Sequence, residues 1–452
     1  MAQYIVPLDK QDGNMRYEVM MIASDKSGTL VTEDTPFPTS FSNITGPASD
    51  AFGRLRTSEA FTLGDHKHIY GLNTNSFNDL TVNGGAVTYR TNEASVRLST
   101  TTQSGSRTVH QTKIYHNYMP GKSQLIKSTA NFYAAVPNVT KRTGYFDDYN
   151  GIFFQQEGDG TLSFVIRTNL TGTPSDARKI TQANWNKDKC DGTGNTGYNI
   201  DITKTFIFFT DFQWLGVGRV RCGFVHNGQT IVAHEFYNDN VLPTVYMSNP
   251  NLPVRCEIVN TAASAGGYFD QICASVVSEG GYAESGIDWS LDGGIVAKSV
   301  LTTGDLPLIA IRLKNSFKSL PNRVYVRMQN LSVYAESNAV IWKLVKLPNL
   351  AAITLSSPTW SSLSNDSAVE YSLLGTAYSG GDTLISGFAG ASSPGGSTKG
   401  MGSTSESNPT SSKRNFIAQN IASDDSEIYV LAARAIGATA SVWAAMQWRE
   451  IY

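Results

Sequence analysis

Thr205-Phe-Ile-Phe-Phe-Thr-Asp-Phe-Gln-Trp-Leu-Gly-Val-Gly-Arg-Val-Arg-Cys-Gly-Phe-Val-His-Asn-Gly228 decides the fold. Aromatic and β-branched residues fill two runs, Gly216 and Gly218 interrupt them, and Asn227-Gly228 closes the second. A third run follows and continues through His234 to Asn238. The reading is a strand, a bulged bend, a strand, a tight hairpin and a strand.

Outward from this stretch the same alternation recurs. Ser95-Val-Arg-Leu-Ser99, Ser128 to Val136, Gly151 to Gln155 and Leu162 to Arg167 are apolar runs separated by turn residues, and Val254 to Asn260 reads as a return strand. Strand pairs with tight turns, repeated over about 200 residues, predict an all-β fold with a jelly-roll or β-sandwich domain over residues 61–278. Val324 to Met328, Leu331 to Ala335, Val340 to Val345, Glu427 to Ala432 and Val442 to Trp448 predict a second β-sandwich-like domain over residues 279–452. Within it, residues 387–413 are rich in Gly, Ser and Thr and read as a loop. Residues 1–60 have one strand signal, Tyr17 to Ile22, amid dense Pro and Gly. They predict an extended arm that docks on sibling copies or on a mount.

Charged residues make up 16% of the 452 residues, against about 25% in an average soluble protein. A surface of Ser, Thr, Asn and Gly suits extended β structure and close subunit contacts, because few charges need desolvating. With a formal net charge of -2, no long-range field draws the chain to nucleic acid or to an anionic membrane. Two local basic sets, Arg54, Arg56 and Lys67, and Arg219 with Arg221, are expected to meet solvent, carboxylates or a partner subunit. Cys190, Cys222, Cys256 and Cys273 form no Cys-x-x-Cys pair and read as buried free thiols made in a reducing cytosol. The opening residues lack the order of a secretory signal, and no run approaches the ~20 apolar residues that span a bilayer.

Candidate sites are few. Asp65-His-Lys-His68 places His66 and His68 on one face of a strand, where a three-fold axis would gather six imidazoles; ordinary histidines, and no metal, are the expectation. His110, His116, His226 and His234 have no suitable partners nearby in sequence. Asp188, Asp191, Asn195 and Asp201 have calcium-ligand chemistry without the spacing of a calcium loop. Gly192-Thr-Gly-Asn-Thr-Gly197 fits G-x-G-x-x-G but precedes a β run, not a helix, so no nucleotide cofactor is expected. Glycan hydrolysis needs two carboxylates flanking a cleft. Asp147, Asp148, Glu157 and Asp159 lie on adjacent predicted loops, yet aspartates in β-turns are ordinary, and no catalytic residue is assigned. Tyr145, Tyr149 and Trp185 are candidates for stacking on a sugar; Trp214, read as lying inside its strand, is expected to be core.

Four segments together carry a resemblance: Ala51-Phe-Gly-Arg-Leu-Arg-Thr-Ser-Glu-Ala-Phe-Thr-Leu-Gly-Asp65, Gln111-Thr-Lys-Ile-Tyr-His-Asn-Tyr-Met-Pro-Gly-Lys-Ser-Gln124, Asp201 to Phe224, and Asn249-Pro-Asn-Leu-Pro-Val-Arg255. In this order they resemble a family of tailed-bacteriophage virion structural proteins, with Ala60 and Gly64 departing from its pattern. The resemblance implies a non-enzymatic part of the particle: a tail fibre, a baseplate-proximal appendage or a head decoration. It implies assembly, a homotrimer being the common symmetry, with a tail adaptor, baseplate or capsid vertex as partner. It brings no catalytic residue and no cofactor. A carbohydrate-binding adhesin touching a host glycan is the second expectation, and a polysaccharide-degrading tail enzyme the third.

Overall fold

The computed structural model describes residues 4–7, 17–20, 58–356, 360–392, 402–405 and 416–452. The chain divides into two units, Met1–Ser58 and Glu59–Tyr452. In the first, β1 (Tyr4–Pro7) pairs antiparallel with β2 (Tyr17–Met20). The rest of the predicted arm up to residue 57 lies outside the described residues.

The first part of the second unit contains β3 (Phe61–Lys67), β4 (Phe77–Val82), β5 (Ala86–Arg90), β6 (Ser95–Ser99), β7 (Arg107–Thr112) and β8 (Gln124–Asn131). There follow β9 (Val139–Phe146), β10 (Gly151–Gln156), β11 (Leu162–Thr168), β12 (Ser175–Thr181) and β13 (Phe206–Phe212). The part ends with β14 (Val220–His226), β15 (Gln229–Phe236), β16 (Val254–Asn260) and β17 (Tyr268–Ser278). One sheet runs β12-β11-β10-β9-β16-β7-β4. The other runs β15-β14-β13-β8-β17-β6-β5, and β3 lies along the last residues of β17, whose first residues pair with β6.

The deciding stretch behaves as its pattern dictates. β13 and β14 pair from Ile207 opposite Val225 to Phe212 opposite Val220. Asn227 (φ 50°) and Gly228 (φ 77°) make the two-residue turn into β15. Period-2 alternation turns Phe206, Phe208 and Phe212 inward, where Phe206 and Phe208 meet Phe154 and Phe212 meets Tyr145 of the facing sheet. Phe154 is fully buried, with ring centroids 5.1 Å from Phe224 and 5.6 Å from Phe164. Truncating such a ring to alanine costs about 3–5 kcal/mol. All four cysteines are free; three are buried and Cys273 is half-buried.

The second part contains β18 (Ile287–Asp292), β19 (Lys298–Val300), β20 (Leu306–Leu313), β21 (Ser316–Phe317), β22 (Leu320–Pro321) and β23 (Tyr325–Glu336). Next come β24 (Val340–Leu347), β25 (Ile353–Leu355), β26 (Ser361–Ser362), β27 (Val369–Ser372), β28 (Gly375–Tyr378) and β29 (Asp382–Ala389). Last are β30 (Ala391–Ser392), β31 (Gly402–Ser405), β32 (Phe416–Ile417), β33 (Ile428–Ala435) and β34 (Ala440–Ile451). A sheet built on β18-β34-β23 faces another ordered β26-β27-β20-β33-β24-β29, with Trp342 and Trp448 buried between them. Among the described residues there is no α-helix, and none is therefore long and apolar enough to cross a membrane.

The predicted loop over residues 387–413 needs correction. Gly387 to Ala389 belong to β29, and Gly402 to Ser405 pair with β23. Residues 393–401 and 406–413 lie outside the described residues. Composition misleads here because pairing, not propensity, decides. Gly387 lies opposite Trp342, and a Cβ on it would come within 2.6 Å of the indole.

Candidate functional site

The two sandwiches meet through specific polar contacts. Lys113, just beyond β7, reaches Glu427, just before β33, at 2.7 Å. Asn78 of β4 donates from Nδ2 to the Gln419 carbonyl at 3.0 Å. The Arg323 guanidinium lies 4.9 Å from the centre of the Tyr115 ring. Beside these contacts the surfaces part into a cleft of about 380 Å³. Tyr115, Asp148, Tyr149 and Arg255 wall it on one side, and Asn315, Ser319, Arg323 and Ser423 on the other.

The first wall is the turn between β9 and β10. Asp147 Oδ1 accepts from the Tyr149 and Asn150 backbone N–H groups, which closes the turn. Burial pushes the Asp147 carboxyl above its usual range. Tyr149 projects with 40% of its surface exposed. Behind the turn, Arg255 of β16 stands 1% exposed, donating to Asp148 Oδ1 at 2.7 Å and to Glu257 Oε2 at 2.6 Å. Burial would raise the Asp148 carboxyl, but Arg255 and Arg107 overcome it and hold the group charged. On the second wall, Lys318 (φ 50°) and Ser319 (φ 65°) form the tight turn joining β21 and β22. Arg323 is anchored by donating to the Asn420 and Ile421 carbonyls at 2.8 and 2.9 Å.

Of the residues singled out from sequence, Asp147, Asp148 and Tyr149 come together at this cleft. Glu157 and Asp159 do not. They follow the far end of β10, whose six residues span about 20 Å. Tyr145 and Trp185 are corrected as sugar-stacking candidates. Tyr145 is fully buried, its hydroxyl donating to the His116 carbonyl at 2.9 Å and accepting from the Leu252 N–H at 3.1 Å. Trp185 is 4% exposed and stacks on Phe164 at 4.2 Å. Trp214 lies in the bend after β13, not inside the strand, and donates from Nε1 to the Met247 carbonyl at 3.0 Å.

His66 and His68 share a face as expected, but it is the inner one, 7% and 1% exposed, so no symmetry axis can gather them. They meet the histidines that had no partners in sequence. His66 Nε2 lies 3.3 Å from His116 Nε2, and the His68 ring lies 5.1 Å from that of His110, with Phe77 packed against both. Among the described residues no group of three or more metal-ligating side chains is formed. Asp188 Oδ2 accepts from the Thr196 N–H, while Asp191 and Asp201 cap Thr193 and Thr203, so these carboxylates close turns. Gly194, inside the G-x-G-x-x-G stretch, leaves room for the Asp188 carboxylate: a Cβ there would come within 2.0 Å of Asp188 Oδ1. Arg219 and Arg221 meet Glu235 and Asp211.

Sequence reasoning missed Arg255, Arg323, Tyr115, Asn315 and Ser319. One signal was present: Arg255 and Glu257 are charged residues inside an otherwise apolar run.

No family model and no curated protein matches the chain. Solved structures with a similar arrangement include a protein of unknown function from Shewanella oneidensis MR-1, at 10% identity and a TM-score of 0.32, covering 57% of this chain and 99% of that one. A legume lectin-like domain from Entamoeba histolytica is similar at 10% identity and a TM-score of 0.29, covering 49% of this chain and 98% of that one. The CBM2 module of the evolved Dit of Lactobacillus casei BL23 phage J-1 is similar at 8% identity and a TM-score of 0.31, covering 50% of this chain and 100% of that one.

Proposed function

We propose that this chain is a non-catalytic building block of a tailed-phage particle, a fibre or appendage subunit on the tail, whose inter-sandwich cleft takes a saccharide of the host surface. Head decoration is the alternative position. The observation that carries the reading is that the segments resembling virion proteins meet at one end of the first sandwich. Tyr118 N–H donates to Asn251 Oδ1 at 2.8 Å, Trp214 N–H donates to the Tyr118 hydroxyl at 2.9 Å, and His116 pairs with Leu252. A Cβ on Gly64 would come within 2.6 Å of His116 Nε2, so the first segment reaches the same place. Assembly as a homotrimer, docking through residues 1–60 on a tail adaptor, baseplate or capsid vertex, and presence on the particle surface after synthesis in the host cytoplasm belong to the same proposal.

The absence of catalysis is supported by how the carboxylates are used. Asp148 is held by two guanidinium groups, Asp147 Oδ1 by two amides, and Glu157 and Asp159 stand a strand's length away. A hydrolase needs a free acid and a free base on either side of the sugar. The saccharide reading is favoured by the exposed Tyr149 ring beside Ser, Asn and Asp groups in a cleft of ligand size.

Gold-labelled antibody against this chain, imaged on purified particles, is expected to decorate the tail. Particles with no label, or a chain that stays monomeric by light scattering, would remove the structural reading. A glycan array tests the cleft separately, with Tyr149→Ala as the paired control.

A further inference from the structure

We propose that the outer face of the β18-β34-β23 sheet carries a second saccharide site, a platform for an uncharged glycan chain. It lies on the second sandwich, away from the Tyr149 wall of the cleft, and does not depend on the cleft. It is carried by one cross-strand pair of aromatic rings. Period-2 alternation sends Val333, Ala335, Val442 and Ala444 into the core of the second sandwich and turns Tyr334 and Trp443 to the other side. These two residues stand directly opposite each other, with ring centroids 5.5 Å apart and planes at 46°. Tyr334 is 44% exposed and Trp443 half-buried, whereas Trp342 and Trp448 fill the core of the same sandwich. The core is therefore complete without this pair. Trp443 Nε1 donates to the Ile295 carbonyl at 3.1 Å. That bond uses the single donor of the indole and fixes the ring, so its π face is what remains for a ligand.

The neighbours of the pair on this face are small or polar. Two residues along the strands, about 7 Å away, Ser332 lies opposite Ala445. Neither side chain is as tall as the rings, so a glycan stacked on Tyr334 and Trp443 has room to continue over them. One pair further on, the exposed Gln447 and Ser290 lie opposite each other and offer an amide and a hydroxyl to sugar hydroxyls. Charge sets the class of glycan. The ionisable groups nearest the rings on this face are the exposed Glu336, opposite Ser441, and the exposed Asp292, opposite Ala445. Neither forms an ion pair among the described residues. Arg327 and Arg449, at the far end of the face, are tied to Glu284 and Asp288. Two carboxylates beside the rings, with no guanidinium to offset them, repel an acidic glycan and admit an uncharged one.

The test is calorimetric titration of the full chain carrying Tyr149→Ala, which removes the exposed ring of the cleft and isolates the platform. Cellohexaose, maltohexaose and chitohexaose are the uncharged probes and oligogalacturonate the acidic one. At least one uncharged probe should bind, and oligogalacturonate should bind about 10-fold more weakly or not at all. Adding Trp443→Ala should weaken the binding about 10-fold, while Trp443→Phe, which keeps a ring without the N–H, should keep most of it. Melting curves show that each variant is folded, and Tyr334→Ala supplies the reading if Trp443→Ala unfolds. Flat titrations with all four probes overturn the proposal, as does an affinity that neither Trp443→Ala nor Tyr334→Ala alters. Oligogalacturonate binding more tightly than the uncharged probes overturns it too. Unaltered glycan binding with a lower oligomeric state in Trp443→Ala assigns the rings, with the exposed Ile295 and Val296 beside them, to contact with a second copy, and overturns it as well. The cleft fails separately: if Tyr149→Ala binds every probe as the unaltered chain does, while Trp443→Ala abolishes binding, the platform stands and the cleft does not.

Discussion

Lys113 of the first sandwich and Glu427 of the second form an ion pair at 2.7 Å, and Glu427 is shared with Lys346 at 3.0 Å. The side chains of all three are at most 12% exposed. Glu427 Oε2 also accepts from the Ala418 N–H. One carboxylate therefore serves two ammonium groups and a loop at the junction. Glu427→Gln leaves both lysines without a buried counter-charge, which costs about 3 kcal/mol or more. Urea unfolding followed by tryptophan fluorescence should show the variant melting earlier and in two steps, because the sandwiches no longer unfold together.

How much of this was legible in the sequence depends on the range of the interaction. The strands from Phe206 to Phe236 were legible because alternation and the Asn227-Gly228 turn act over a few residues. Tyr149 and its neighbouring aspartates were legible as turn residues with useful chemistry. That Asp147 and Asp148 stand apart from Glu157 was not, because it depends on which end of β10 each turn occupies. Tyr145 and Trp185 look like sugar platforms in sequence, and only sheet-on-sheet packing shows that both rings are interior. Arg323 meets Tyr115 across 208 positions of chain, a juxtaposition that no local pattern encodes.

The buried histidines predict acid sensitivity. His68 is held down to about 3 by burial and then by the nearby His110; His116 is held down to about 3 by burial and then by His66. An unfolded histidine titrates near 6.5. Above that pH both states are neutral and the stability is fully present. As pH falls from about 6.5 toward 3, the unfolded chain takes up protons that the fold refuses, so stability falls, by up to about 1.4 kcal/mol per unit for each ring. Urea midpoints at a series of pH values between 7.5 and 4 check this. His68→Leu, which keeps an apolar contact with Phe77, should flatten the slope without weakening the protein at pH 7.5.

Gly64 of β3 faces two imidazoles, which makes its missing side chain a packing requirement. A Cβ at this position would stand 2.6 Å from both His66 Nε2 and His116 Nε2. Gly64→Ala must push the two imidazoles apart inside a packed seam between β3 and the loop after β7, which costs about 1–3 kcal/mol. The expected result is a lower urea midpoint at pH 7.5. Restoring space with His116→Ala in the same chain should recover part of the loss, a coupling that a double-mutant cycle measures.

Trp185 and Tyr149 separate fold from function. Trp185 is stacked on Phe164 and donates from Nε1 to the Ile180 carbonyl at 3.3 Å, so Trp185→Ala leaves a cavity and an unpaired carbonyl. A loss of about 3–5 kcal/mol is expected, with ligand binding unchanged wherever the protein remains folded. Tyr149 is 40% exposed at the cleft, and its contribution to the turn is a backbone N–H that alanine retains. Tyr149→Ala should therefore shift stability by no more than about 0.5 kcal/mol while weakening saccharide binding. Urea unfolding and calorimetry on the same two variants check both halves. A destabilised Tyr149→Ala with unaltered binding would return this ring to the packing of the turn.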